Sequence, residues 1–290
     1  MGSTECTLKR VIALAIIVGA LPFLNIACAY ASESSAVEEN RWLDDYHRKI
    51  GFTYGAEARL QTAYLWRGLY AGSMNIQGSA NVGYGGLYAS MWWNIGTTDW
   101  TFTTFQPEVD LSIGFARWGL DLSATLIHSF NCPFFDFTNH PYPEGGNAFE
   151  IDLRYTVSSK LPLSILWATR VAASDGYINV YGDTVRAYST YIELSYKHNF
   201  PYGISLKGAV GMTPWHSLYT GYSKGFAVNN IDVRLRKDWS VSERCGLMIE
   251  GQVMLNPSAL ADDRSTAEWH PENPFRQSVN ANIAFGVYLK

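Results

Sequence analysis

Most of the residues in this chain that could do chemistry stand two positions apart. Glu57 and Arg59, Glu108 and Asp110, Glu150, Asp152 and Arg154, and Asp232, Arg234 and Arg236 all keep this spacing. Side chains two apart on an extended chain share a face, so each set would line one wall. Carboxylates paired in this way can serve as acid and base, and arginine forks can hold anionic or zwitterionic groups. Arg59, Arg67, Arg154, Arg170, Arg234 and Arg236 are the candidates for such a constriction, and Gln77, Glu57, Glu108, Asp110, Glu150 and Asp152 complete the candidate set. Because the pairs recur on segment after segment, they read first as members of a charge network. His128-Ser129 has the residue types of a base and a nucleophile, which must share a face to react. Alternation separates them and puts Phe130 beside His128, so no catalytic residue is assigned. Asp262, Asp263, Glu268, His270 and Glu272 crowd one stretch in a spacing that matches no metal-ligand motif. No cofactor is read from the sequence.

The elements that would hold these residues are strands. From Phe52 to Arg67 the even positions Phe52, Tyr54, Ala56, Ala58, Leu60, Tyr64 and Trp66 are mostly apolar, while Glu57, Arg59, Gln61 and Arg67 are odd. Read as one strand, the segment has about 15 residues, against a usual length of about 5 to 6. Met74 to Tyr84 and Leu87 to Ile95 follow, joined by a two-residue Gly85-Gly86 turn. The same alternation runs through Gln106–Ala116, Leu120–Phe130, Ala148–Val157, Leu163–Ala172, Tyr188–Lys197, Ile204–Thr213, Ala227–Arg236, Leu247–Leu255 and Ser278–Lys290. Twelve strands result, an even number, as bacterial outer-membrane barrels have. Short and long connections alternate, and only the first long-side connection, a turn at Tyr70–Ser73, is expected to be tight.

The charges give the strongest indication. Asp121, Glu193, Lys197, Lys207 and Glu250 join the residues above on one face, and the opposite face has no charge on any of the twelve strands. A charge facing lipid at mid-bilayer costs about 2 to 4 kcal/mol. Two aromatic belts are expected at the membrane interfaces. Tyr64, Trp66, Trp93, Phe105, Phe130 and Trp167 would form the outer belt, and Phe52, Tyr54, Phe115, Tyr155, Tyr196 and Phe200 the inner one.

Lys9 and Arg10, an apolar run Val11–Leu24 and a small-residue end at Ala29-Tyr-Ala31 have the layout of a secretory signal. Residues 1–31 are therefore read as a signal peptide, 32–51 as a polar periplasmic segment, and 52–290 as an all-β, twelve-stranded antiparallel transmembrane barrel with both termini periplasmic. A lipidated Cys28 is the second reading of the leader. The whole chain has 22 basic and 26 acidic residues, and neither balance nor patterning suggests nucleic acid. Cys132 and Cys245 fall at opposite barrel ends, so no disulfide is expected.

Tyr64-Leu-Trp-Arg67-Gly68, then Gln77, Gly83-Tyr84-x-Gly86 and Trp93-Asn94, resemble the Gcw_chp-type family of bacterial outer-membrane proteins. The resemblance covers roughly the first three strands and implies a barrel. It adds little on function, because the family lacks an established activity. Arg67 is expected to face the lumen at the outer rim, with Gly68 allowing a sharp turn.

The functional expectation is a passive channel for small polar or anionic solutes, in contact with outer-membrane lipid and lipopolysaccharide and delivered by the barrel assembly machinery. The alternative is a barrel with a salt-bridged, closed lumen whose extracellular loops recognise a partner or surface glycan. The stretch Cys132–Gly146, rich in Phe, is expected to pack on itself, with folding over the mouth or binding a sugar or partner as the sharper alternatives.

Overall fold

The computed structural model describes residues 51–97, 105–130, 132–141, 146–222, 225–262 and 278–289. Residues 1–50, which include the leader and Cys28, and Asp263, Glu268, His270 and Glu272 lie outside them. Twelve strands close into one antiparallel barrel. In chain order they are β1 (Phe52–Gln61), β4 (Asn75–Tyr84), β5 (Leu87–Thr97), β6 (Phe105–Arg117), β7 (Leu120–Ser129), β8 (Ala148–Thr156), β9 (Leu163–Ala173), β12 (Thr190–Phe200), β13 (Ile204–Thr213), β14 (Ala227–Ser240), β15 (Cys245–Leu255) and β16 (Val279–Leu289). Two small hairpins interrupt the series, β2 (Tyr64–Trp66) with β3 (Leu69–Gly72) and β10 (Gly176–Ile178) with β11 (Thr184–Arg186). A single helical turn, α1 (Pro257–Asp262), follows β15.

Closure is made by β1, which pairs with β4 on one side and β16 on the other. Barrel strands run from 9 residues in β8 to 14 in β14, near the roughly 9 to 11 that a tilted strand needs to cross a bilayer. Closing the sheet leaves no edge with unpaired amides and carbonyls, which hydrocarbon could not solvate. The short connections use residues that tolerate positive φ. Gly85 and Gly86 have φ of 62° and 101°, and Trp118 and Gly119 have 60° and 78°, as a two-residue hairpin turn requires. The short turns, the start of β1 and the end of β16 share one end of the barrel, since Ala56 pairs with Leu289.

The alternation sorts the wall as the sequence implied. Leu60, Val82, Ile113, Leu194, Val233 and Ile283 lie exposed on the outside, whereas Glu57, Gln77, Glu150, Asp232, Arg236 and Glu250 are buried in the lumen. Burying apolar surface is worth about 25 cal/mol per Å², so an apolar belt around a closed barrel is costly in water and suited to acyl chains.

Three expectations are corrected. The first strand ends at Gln61, because Thr62 and Ala63 turn inward and bond Asn282; Tyr64 and Trp66 therefore leave the outer belt. The turn falls at Arg67-Gly68 rather than at Tyr70–Ser73, where β3 lies. Finally, β14 extends past Arg236 and carries Lys237 onto the outer face. There its ammonium donates to the Tyr202 carbonyl beside the short turn and lies 5.4 Å from the Trp239 ring centroid. A long stem lets a lysine near a strand end reach the polar interface.

The lumen constriction

The inward hairpin β2–β3 dominates the lumen. Its stem is fixed by buried amides: Gln61 Nε2 donates to Asn75 Oδ1 at 2.9 Å, Asn282 Nδ2 donates to Gln61 Oε1 at 3.2 Å, and the Ala63 amide donates to Asn282 Oδ1 at 3.0 Å. Ala63 and Leu65 then pack on Met254, with Tyr70 against them. At the tip, Arg67 and Gly68 take φ of 47° and 88°. Positive φ is costly for any residue with a Cβ, so Arg67 is held there by its contacts. Asn229 Nδ2 donates to the Arg67 carbonyl at 2.8 Å, and Asn256 Nδ2 to the Gly68 carbonyl at 2.9 Å. A Cβ on Gly68 would stand 1.9 Å from the Asn229 carbonyl oxygen. Only glycine fits.

These contacts aim Arg67 across the barrel at β8, five strands from β1 in one direction and seven in the other. Its Nη1 and Nη2 reach Glu150 Oε2 and Oε1 at 2.7 and 2.8 Å, Nη2 reaches Asp152 Oδ1 at 3.3 Å, and Nη1 donates to the Tyr219 hydroxyl at 2.6 Å. Such a forked carboxylate pair is the geometry guanidinium favours. The ring centroids of Trp66, Tyr191 and Tyr219 lie 4.9, 5.1 and 5.8 Å from the guanidinium carbon.

Tyr219 comes from a second inward segment, a 3-10 turn at Leu218–Thr220 whose N-terminus is capped by Ser217. Leu69, Leu166, Ala168, Tyr191, Leu218 and Tyr219 form one buried cluster with Trp66 and Tyr222 against it. The outer part of the lumen thus has a small apolar core along β9 and β12. Asp175 ties these segments together, accepting from the Ser189 amide and hydroxyl at 2.7 and 2.5 Å and from the Tyr222 hydroxyl at 3.3 Å. Burial pushes its carboxyl above the usual range, and the Ser189 bonds oppose that rise.

The other candidates divide into separate groups. Arg170 is the cross-strand neighbour of Glu150, and its guanidinium carbon lies 6.0 Å from the Trp66 ring. Glu108 accepts from the Tyr64 hydroxyl at 3.2 Å. On the far wall, Arg236 donates twice to Glu57 at 3.1 Å and also pairs with Asp238 at 3.0 Å. Arg59 pairs with Glu57 and, at 3.6 Å, with Glu250. Arg234 pairs with Asp232 at 2.7 Å. Arg154 stands opposite Asp121, and Gln77 stands between Arg59 and Asn94. The arginines therefore do not form one ring: Arg67 and Arg170 meet at the outer constriction, and Arg59, Arg234 and Arg236 sit in carboxylate pairs across the lumen.

Sequence reasoning missed the apolar plug residues and the amides that anchor the hairpin. Two signals were available. Tyr191 shares parity with Glu193, an aromatic on the polar face, and Leu65-Trp66 is apolar on both parities.

Among the described residues, the first half of the Phe-rich stretch is pinned to the outer wall, while Asn139 and His140 bond the Ser174–Gly176 segment at the mouth. Asn147, fully buried, donates to the carbonyls of Pro133, Phe134 and Asp136 at 3.0, 2.8 and 2.9 Å and contacts His128 Nδ1 at 2.6 Å. The loop lies against the outer side of β7 and β8, where Phe134 meets the His128 ring edge at 5.0 Å and Phe137 meets Phe149 at 5.4 Å. His128 has outward parity, yet this cover leaves it 5% exposed. Cys132 and Cys245 are free thiols.

The fold and lumen define a twelve-stranded antiparallel barrel with a polar interior narrowed by an inward hairpin. No protein-family model and no curated protein sequence matches the chain. Solved structures similar to it include the NanC porin, at 12% identity over 81% of this chain and 99% of that one, with a TM-score of 0.45. The KdgM porin matches at 8% identity over 81% and 98%, with a TM-score of 0.41. An outer membrane channel from Pseudomonas putida F1 matches at 12% identity over 88% and 99%, with a TM-score of 0.43.

Proposed function

We propose that the protein is a passive outer-membrane channel for small polar solutes, narrowed in the outer half of its lumen by the β2–β3 hairpin. One observation carries this reading: along the twelve strands the inward set is mainly polar or small, apart from the apolar side chains packed with the plug, and the outward set is mainly apolar, with Lys237 and Arg117 at strand ends, the pattern of a barrel with lipid outside and water within. In this reading the long connections are extracellular and the short turns and both termini periplasmic. The leader is removed near Ala31, the barrel assembly machinery inserts the chain, and lipopolysaccharide surrounds its outer rim. No catalytic step is assigned, since His128 and Ser129 have opposite parity. The Tyr64–Gly68 pattern supports membership of the Gcw_chp-type family.

The test is current through the purified barrel in a planar bilayer. Discrete openings are expected for the native chain and larger ones for Arg67→Ala, in which the hairpin loses its hold on β8. If both stay silent, the channel reading fails. The second reading is a closed barrel that binds a partner or surface glycan through its loops. It is favoured by the apolar cluster of Leu69, Leu166, Tyr191, Leu218 and Tyr219 packed in the mouth, and a silent barrel with loop-dependent binding would support it.

A further inference from the structure

The plug fills one side of the lumen and leaves the other side polar. The hairpin tip and the 217–222 turn lie on β8, β9 and β12. Across from them, the inward rows of β4, β5 and β6 carry buried polar atoms that lack a hydrogen-bond partner among the described residues: Gln77 Nε2, both amide atoms of Asn81, and Asp110 Oδ1. Gln77 and Asn81 are 6% and 7% exposed. A buried polar group left without a partner is costly, so two amides and a carboxylate on one wall imply that something in the lumen bonds them.

Register brings them together. Gln77 opposes Asn94, which opposes Glu108 on β6; one row inward, Ser79 opposes Trp92, which opposes Asp110. Asn81, opposite Ser90, occupies the next row. Neighbouring strands stand about 5 Å apart and successive rows on one face about 7 Å apart, so three strands and three rows span roughly 10 by 13 Å, enough for one or two hexose rings. Trp92 lies at its centre, with the Tyr64 ring 5.4 Å away and the Tyr64 hydroxyl bonded to Glu108.

We propose that this wall is a binding lane for uncharged polyhydroxylated solutes, the chemistry of neutral sugars. Amides offer a donor and an acceptor each, a carboxylate accepts from hydroxyl pairs, and a flat aromatic face receives the apolar side of a pyranose. Anions are disfavoured because Glu108 and Asp110 stand in the patch and Asp121, Glu150 and Asp152 on the strands beside it, while the flanking cations are engaged, Arg67 with Glu150 and Asp152, and Arg59, beside Gln77, with Glu57 and Glu250. The inference gives the channel reading its solute class, yet the site can be tested without any current.

The experiment titrates glucose and sucrose, with potassium gluconate and spermidine as charged comparators, into the full-length barrel. One readout is tryptophan fluorescence in detergent, and the other is block of single-channel current. Saturable quenching by the neutral sugars is expected, lost in Trp92→Phe and weakened at least tenfold in the Gln77→Leu/Asn81→Leu double variant. The conservative Gln77→Glu/Asn81→Asp pair, which keeps acceptors and loses donors, is expected to weaken it less. Heat-modified gel mobility checks that each variant is folded. Quenching by spermidine or gluconate in place of sugar, or quenching unchanged in folded variants, overturns the proposal. No quenching and no block also overturns it, leaving the orphaned amides to water alone. Sugar quenching in a barrel that never conducts upholds the lane and removes the channel.

Discussion

Arg67 is an L-residue at φ 47° at the tip of the inward hairpin, a conformation that is kept only where surrounding contacts overdetermine it. The forked pair with Glu150, the Tyr219 bond and three aromatic rings supply those contacts. Replacing Arg67 by Lys keeps the charge and loses the fork; the expected result is a loss of about 1 to 3 kcal/mol in the hairpin's local stability, read as faster hydrogen exchange at Tyr64–Gly72. Exchange rates unchanged from the native chain would contradict this. Gly68→Ala drives a methyl into the Asn229 carbonyl, and a several-fold rise in conductance is expected as the tip withdraws. In the outer loop, the Thr138 amide first, and then His140 beside it, hold the Asp136 carboxyl down to about 2. A lowered carboxyl stabilises the fold above its unfolded value of about 3.9 and stops doing so as pH falls through the folded value. The Asp136 carboxyl carbon, followed by NMR, should therefore titrate near pH 2; a midpoint near 4 would show that the loop bonds are absent in solution.

The β2–β3 hairpin and the Phe-rich loop use the same device in opposite directions. Each is a connection pinned by a buried asparagine that bonds backbone carbonyls, Asn229 and Asn256 for the hairpin and Asn147 for the loop. Asn147→Ala strands three acceptors and uncovers His128 on the outer wall. Proteolysis at 132–141 is expected to quicken while the barrel stays intact, since barrel stability comes from the closed ladder and not from this loop. Cleavage at the native rate would argue against the pinning role.

For the whole molecule, the two walls respond to charge in opposite ways. Val233 is exposed on the outside near the middle of β14, and Ser195 is buried on the lumen side of β12. Val233→Arg is expected to cost about 2 to 4 kcal/mol at mid-bilayer, measured by urea unfolding in lipid vesicles. Ser195→Asp, in the wetter wall, is expected to cost less. A reversed order would mean that the barrel has been read inside out.

The sequence by itself determined the barrel. Strand parity is a local property, so the period of two in Glu57-x-Arg59 or Asp232-x-Arg234-x-Arg236 assigns each side chain to a wall before any strand is paired, and membrane energetics leave little choice as to which wall faces lipid. Loop lengths gave the order of strands for the same reason. The path of residues 62–74 was decided only in three dimensions: Leu65-Trp66 breaks the alternation locally, but Tyr64 and Trp66 keep the apolar parity of β1, and the partners that draw the hairpin into the lumen, Asn282, Asn229 and Asn256, are more than 150 residues distant. The pairing of the arginines likewise needed the closed sheet, because Arg67 finds Glu150, and Arg236 finds Glu57, across an interior that exists only once β1 has met β16.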